Sequence, residues 1–270
     1  MVLELNALIA NTTFGHVFRC TDTTTGVEYA VKQYTQECYE VSAELQVSKA
    51  LMQQAPHPHL VQLVGQYERN CCKHLVFEYC AQGDLYELLT DKPMLPRNQS
   101  LMYFRQIVSG VHHLHKIGYA HRDISLENIL VDANGDCKLC DFGLAASTSE
   151  LSDATVGKVF YMAPEVFAGE EYNPAAADVW SLGILFFILM TGVPMLNTPS
   201  DDDGGYRIVA RQGVKALIKL WNMENQFTKT QLQLLDRMLQ VNPKKRIKMH
   251  QLHAKIQPKV SWRSKWAQWF

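Results

Sequence analysis

The residues of this 270-residue chain best suited to chemistry fall in one short stretch: His121-Arg122-Asp123, then Asn128 five residues after the aspartate, then Asp141-Phe142-Gly143. The stretch gathers carboxylates, an amide and an imidazole, residue types that carry charge and move protons. Far upstream, Tyr29-Ala30-Val31-Lys32 ends on a cation. Either tripeptide alone is a weak signal, but their order and spacing together make a strong one.

Elements must position these groups, and the hydrophobic period changes once, early in the chain. Residues 5–9, 17–21 and 27–34 read as three short strands, the last two joined by Thr23-Thr24-Thr25-Gly26. Residues 37–53 read as a helix, and 60–67 and 73–79 as two further strands around a loop at Arg69 and Asn70. Beyond Gly83 the patterns are helical, at 100–117, 176–191, 206–219 and 229–240. Two unequal parts meeting near 78–83 leave a cleft, a common place for a ligand.

Composition narrows the classes. With 47% hydrophobic and 20% charged residues, a chain of this length buries roughly three quarters of its unfolded surface, which excludes a disordered chain or a small disulfide scaffold. A net charge of -1 gives no basic field for nucleic acid or anionic lipid. Seven cysteines, an odd number, and no charged-then-apolar leader at Met1 point to a reducing, cytoplasmic setting rather than secretion. The most apolar run, 184–190, is shorter than the ~20 residues of a membrane helix, so no membrane partner is expected.

Further motifs follow in order: Ala163-Pro164-Glu165, then Asp178-Val179-Trp180-Ser181-Leu182-Gly183, then Asn242-Pro243 with Arg246. The full set, from about residue 5 to 250, resembles the eukaryotic protein kinase family, serine/threonine type. The resemblance implies one α+β, bilobal domain over 1–270. An antiparallel-sheet N-lobe with one main helix (1–79) would join through a hinge (78–83) to a mainly helical C-lobe (84–255) and a tail (256–270), with ATP in the cleft. It also implies Mg²⁺-assisted phosphoryl transfer from ATP to serine or threonine hydroxyls of a protein substrate.

Roles carry over residue by residue. Lys32 would hold the α- and β-phosphates if a carboxylate fixes its ammonium; Glu44 is the choice, and Glu40 one turn earlier the runner-up. Asn128 and Asp141 would bind Mg²⁺, and Asp123 would accept the hydrogen bond of the substrate hydroxyl. Val17, Ala30 and Leu130 would sandwich adenine, and Ile9, Gly15, Phe77, Glu78, Cys80, Asp84 and Cys140 would complete the nucleotide site. His121, Phe142, Leu63 and Ser48 match the family's stacked regulatory positions, where serine replaces the usual large apolar residue. Glu165 and Arg246 resemble the ion pair that shapes the protein-substrate platform.

Departures carry more information than matches. The phosphate-covering loop, G-x-G-x-x-G-x-V in the family, reads Ala10-Asn11-Thr12-Thr13-Phe14-Gly15-His16-Val17. Threonine resists the positive φ that glycine adopts, so the loop should be stiffer and ATP binding weaker, unless it forms a plain hairpin at negative φ. The catalytic loop has Ser125 two residues after the aspartate where the family has lysine, while Gly157-Lys158 stands where it has Gly-Thr. Hydroxyl and ammonium look exchanged, which places Lys158 near Asp123 and the γ-phosphate. These losses also leave open a partner-binding pseudokinase.

Other features read as regulation, specificity or plain structure. Arg122 would meet a phosphate on the activation segment, with Thr155 ranked ahead of Ser152 and of 147–149. Asp84 and Glu127 match carboxylates of kinases that prefer a basic residue three before the acceptor. Cys137 and Cys140 on a strand face opposite sides and do not read as a zinc knuckle. His112, His113 and His115 read as helix residues rather than metal ligands, Asp201-Asp202-Asp203 as a solvated loop, and Trp262, Trp266 and Trp269 as a tail packed on the large lobe.

Overall fold

The computed structural model describes residues 2–35 and 39–257. Five antiparallel strands form a sheet in the order β1-β2-β3-β5-β4: β1 (Leu3–Thr12), β2 (Gly15–Asp22), β3 (Glu28–Tyr34), β4 (Leu63–Arg69) and β5 (Cys72–Glu78). Helix α1 (Tyr39–Met52) follows β3; positions 37 and 38 of the expected helix lie outside the described residues. The period of two decides what each face of the sheet meets. On β5, Leu75 and Phe77 turn to a cluster with Val41 of α1, whereas Val76 between them joins Cys20 and Val31 on the other face.

Strand β1 is twice as long as the apolar alternation predicts, because pairing with β2 continues through polar residues to Asn11↔His16 and Thr12↔Gly15. The loop expected at Arg69 and Asn70 tightens to the two-residue turn Asn70-Cys71, both at positive φ (53° and 58°) between the paired Arg69 and Cys72. Positive φ at both central residues suits the right-handed twist of the flanking strands.

Helices α2 (Leu85–Asp91), α3 (Arg97–Lys116), α4 (Pro164–Phe167), α5 (Pro174–Thr191), α6 (Gly204–Gln212), α7 (Val214–Leu220), α8 (Lys229–Met238) and α9 (Met249–Ile256) build the larger part. Two short antiparallel pairs, β6 (Tyr119–Ala120) with β9 (Ala146–Ser147) and, between them in the chain, the hairpin of β7 (Ile129–Val131) with β8 (Cys137–Leu139), carry the intervening loops. Of the described helices, α5 has the length and mean hydropathy (1.6) of a membrane span, but 89% of it is buried. Its apolar circumference is used up by the core. Asn173 caps its start with Pro174 in the first turn, and Gly192 at φ 74° ends it. The helix expected at 206–219 is two, broken at Gly213 (φ 83°). Helices α2, α4 and α9 are too short to show a periodic signal. The three tail tryptophans lie outside the described residues.

Candidate active site

Lys32 on β3 reaches across the cleft to both parts of the molecule. Its Nζ lies 2.8 Å from Glu44 Oε2 on α1 and 2.9 Å from Asp141 Oδ1 in the loop after β8. Burial alone would push its pKa down, but the two carboxylates outweigh that and hold it well above the ordinary lysine value. Burial likewise acts to raise Asp141, and the ammonium overrides it, so the carboxyl sits below its usual range. Glu40, the runner-up partner, lies against Gly143 instead. Tyr34, two residues along β3 and hence on the same face as Lys32, donates its hydroxyl to Glu44. Sequence reasoning missed that support, although the i, i+2 spacing could have shown it.

The catalytic-loop residues hang from one buried carboxylate. Asp178, in the first turns of α5 and fully buried, accepts from His121 N at 2.7 Å, Arg122 N at 2.8 Å and, in the ring contact, His115 Nε2 at 2.8 Å. These bonds hold Arg122 at φ 66°, a left-handed conformation that is costly for a residue with Cβ; Asp141 is at φ 62°. Asn128 Nδ2 donates to Asp123 Oδ2 at 2.7 Å and to Asp123 O at 2.8 Å. That spends the amide nitrogen and leaves the amide oxygen available as a ligand. Asp141 keeps 42% of its side chain exposed with one oxygen on Lys32. A part-exposed carboxylate and an amide oxygen that takes no hydrogen bond are donors of the kind a hard divalent cation prefers.

The exchange at Ser125 and Lys158 has a clear geometry. Lys158 Nζ donates to Ser125 Oγ at 2.8 Å and stands 3.6 Å from Asp123 Oδ2 and 3.9 Å from Glu127 Oε2. Lys158 N donates to Asp123 Oδ1 at 3.0 Å. A cation therefore stands beside Asp123, delivered from the segment after Gly157. Positive φ at Gly157 (94°), and a backbone approach in which a Cβ would come within 2.5 Å of Arg122 O, make glycine necessary there.

The hairpin 10–17 has no residue at positive φ, so it is the plain-hairpin alternative that is realised. Its retained Gly15 is needed for contact: a Cβ there would lie 1.8 Å from Gln33 O of β3. Ala30, Phe77, Cys80, Leu130 and Cys140 converge in one apolar cluster, joined by Phe14, which the motif comparison did not flag. Burial pushes the Cys80 thiol up to about 12. Val17 pairs with Lys32 in the sheet, and Ile9 stays 45% exposed on the edge strand. Glu78 is clamped by Lys138 Nζ at 3.1 Å and by Gln62 N at 3.0 Å. Asp84 caps α2 by accepting from Glu87 N at 2.8 Å.

The remaining candidates resolve locally. Ring contact at 5.8 Å joins His121 to Phe142. Arg122 Nη1 donates to Ser152 Oγ at 3.0 Å, whereas Thr155 Oγ1 donates to Val166 O. Arg246 makes a buried two-point contact with Glu165, at 2.7 and 3.0 Å, and lies over the Trp180 ring. Among the described residues no group of three or more His, Cys, Asp or Glu could hold a metal by itself. Asp203 caps α6.

The model of the protein kinase domain matches residues 3–256. Similar curated proteins include the serine/threonine-protein kinase GIN4 of Saccharomyces cerevisiae, 34% identical over 213 residues, covering 78% of this chain and 18% of that protein. The maternal embryonic leucine zipper kinase of Xenopus tropicalis is 34% identical over 261 residues, 92% of this chain and 38% of its own length. The CBL-interacting serine/threonine-protein kinase 17 of Arabidopsis thaliana is 32% identical over 239 residues, 84% of this chain and 52% of its own. The chain thus spans from about a fifth to about half the length of these relatives.

Proposed function

The chain belongs to the protein kinase family, and from that premise we propose that it transfers the γ-phosphoryl group of ATP to serine or threonine hydroxyls of a protein. The observation that carries this is the continuous set Glu44–Lys32–Asp141, closed across the cleft at 2.8 and 2.9 Å. Phosphoryl transfer asks for positioned charge more than for covalent chemistry. Lys32, fixed by Glu44, binds the α- and β-phosphates. Asn128 and Asp141 hold Mg²⁺, which when bound neutralises charge on the phosphates. Asp123 accepts the hydrogen bond of the acceptor hydroxyl and orients it. Lys158, beside Asp123, stabilises charge that develops during transfer. Ala30, Phe77 and Leu130 supply apolar surface for adenine.

The losses that spoke for a pseudokinase are each offset locally: the loop keeps a paired hairpin without its glycines, and Lys158 brings a cation to Ser125. For substrate preference we keep a basic residue three before the acceptor, drawn by Glu127 and the uncapped oxygen of Asp84. A peptide array selecting proline or acidic residues instead would refute it. Radiolabelled ATP with generic protein substrates tests the activity itself. The parent should label serine and threonine, and Asp141→Asn should lower the rate at least about a hundredfold, as loss of a positioned charge does. Equal, background-level label from both proteins would overturn the proposal.

A further inference from the structure

Tyr34 stands where the candidate site meets the core. It is 2% exposed, as is Glu44, and Lys32 is 8% exposed, so a cation, a carboxylate and a phenol are buried together between β3 and α1. Its ring packs with Val41 of α1 and with Leu75 and Phe77 of β5, and the Lys32 ammonium lies 5.2 Å from the ring centroid. Its hydroxyl donates to Glu44 Oε2, the same oxygen that accepts from Lys32 Nζ at 2.8 Å. Burial and the adjoining carboxylate push the phenol's pKa up, so the hydroxyl keeps its proton and stays a donor. Lys32 has a divided task, since its Nζ also lies 2.9 Å from Asp141 Oδ1 and, in phosphoryl transfer, turns to the phosphates. Whatever Lys32 gives to those partners is withdrawn from Glu44, and a buried carboxylate short of donors is costly. Tyr34 supplies a second donor from the same strand.

We propose that Tyr34 is a positioning residue for this reaction: its hydroxyl holds the Glu44 carboxylate in place, and Glu44 in turn holds the Lys32 ammonium for the α- and β-phosphates. The proposal rests on the phosphoryl-transfer reading for its effect on turnover, whereas the contact itself stands without it. Two donors two residues apart on one strand meet one oxygen, which fixes the direction from which α1 must present Glu44. Tyr34→Phe keeps the ring, its packing and its contact with the ammonium, and removes the O–H alone. It therefore separates positioning from packing.

The test compares the whole chain with its Tyr34→Phe, Glu44→Ala and double variants, by steady-state kinetics and by NMR of tyrosine labelled with ¹³C at Cζ. Tyr34→Phe should lower kcat/KM for ATP about tenfold, the worth of one hydrogen bond to a charged group. In the Glu44→Ala background the same change should cost less than about twofold, because the carboxylate it acts through is gone; a tyrosine that only packs would cost the same in both backgrounds. The ¹³Cζ resonance that vanishes in Tyr34→Phe should move in Glu44→Ala. In the parent it should hold its protonated position to about pH 10.5, where an exposed phenol is more than half ionised. Should Glu44→Ala fail to fold, the Tyr34→Phe rates and the parent's pH titration decide. The proposal is overturned by Tyr34→Phe turning over at the parent rate, by equal losses in both backgrounds, or by a Tyr34 resonance that ignores Glu44→Ala or titrates like an exposed phenol. Background-level turnover in the parent overturns the phosphoryl-transfer reading, and with it the role of Tyr34 in turnover, even where the ¹³Cζ signal upholds the contact.

Discussion

Lys158 is the residue for which we propose a catalytic role outside the family's usual pattern, on the strength of its surroundings. Its ammonium is bonded to the fully buried Ser125 and lies within 4 Å of both Asp123 and Glu127. Removing a positioned transition-state charge costs about 2.7 to 4 kcal/mol, or a rate factor on the order of 10² to 10³. Lys158→Ala should therefore lower kcat by that factor while ATP affinity, measured by titration of bound nucleotide, changes little. Ser125→Lys with Lys158→Thr moves the cation back into the loop. Its activity should exceed the product of the two single changes, the signature of coupled sites in a double-mutant cycle. Lys158→Ala turning over at the parent rate would show the ammonium to be a bystander.

At the scale of elements, two contacts decide whether the parts assemble. The β1–β2 hairpin lies so close to β3 that Gly15 admits no side chain, because the obstructing atom is the Gln33 carbonyl and no rotamer change relieves it. Gly15→Ala should cost about 1 to 3 kcal/mol, as overpacking does, whereas glycine at the exposed Thr13 should cost less than about 1 kcal/mol. Chemical denaturation of the two variants checks the contrast. The second contact ties α4 to the segment before α9. Arg246→Ala leaves Glu165 buried without its partner and should cost about 3 to 5 kcal/mol. Lysine should rescue little of this, since it lacks the planar fork that meets both carboxylate oxygens. Stability of Arg246→Lys close to the parent would show that charge alone suffices.

Across the whole molecule, histidines link its parts in a pH-sensitive way. His57 and His59 precede β4, His112 and His113 sit on α3, and His253 on α9, with the His112 and His253 rings stacked at 4.1 Å. All five are held below the ordinary value, His57 and His112 to about 4, first by burial and then, for those two, chiefly by neighbouring histidines. A folded-state pKa below the unfolded one means that the unfolded chain binds more protons below about 6.5. Their contribution to stability is thus complete above that pH and declines as pH falls toward 4. The urea midpoint should drop between pH 7 and pH 5, and His57→Gln with His112→Gln should flatten the drop. A parent midpoint unchanged over that interval would contradict the assignment.

Local order in the chain was enough for much of this. The strands and the long helices follow from period-two and period-3.6 runs, and the acid, amide and lysine of the site from motif order, because both are encoded by neighbours within a few residues. The apolar register of Val47 and Leu51 along the helix, matched to the family's spacing, already favoured Glu44 over Glu40. Only the folded chain decided between them, since α1 turns Glu44 to Lys32 and Glu40 to Gly143. It also put Ser152 rather than Thr155 on Arg122, split a continuous helical pattern at Gly213, and showed that Gly15 is kept for contact with β3. Each of these depends on atoms far apart in sequence, where the energy of close packing and buried charge outweighs local preference. Ser48 belongs to the same class: its unusual residue type is visible in the sequence, but the burial of its hydroxyl without a hydrogen-bond partner among the described residues exists only once α1 is packed.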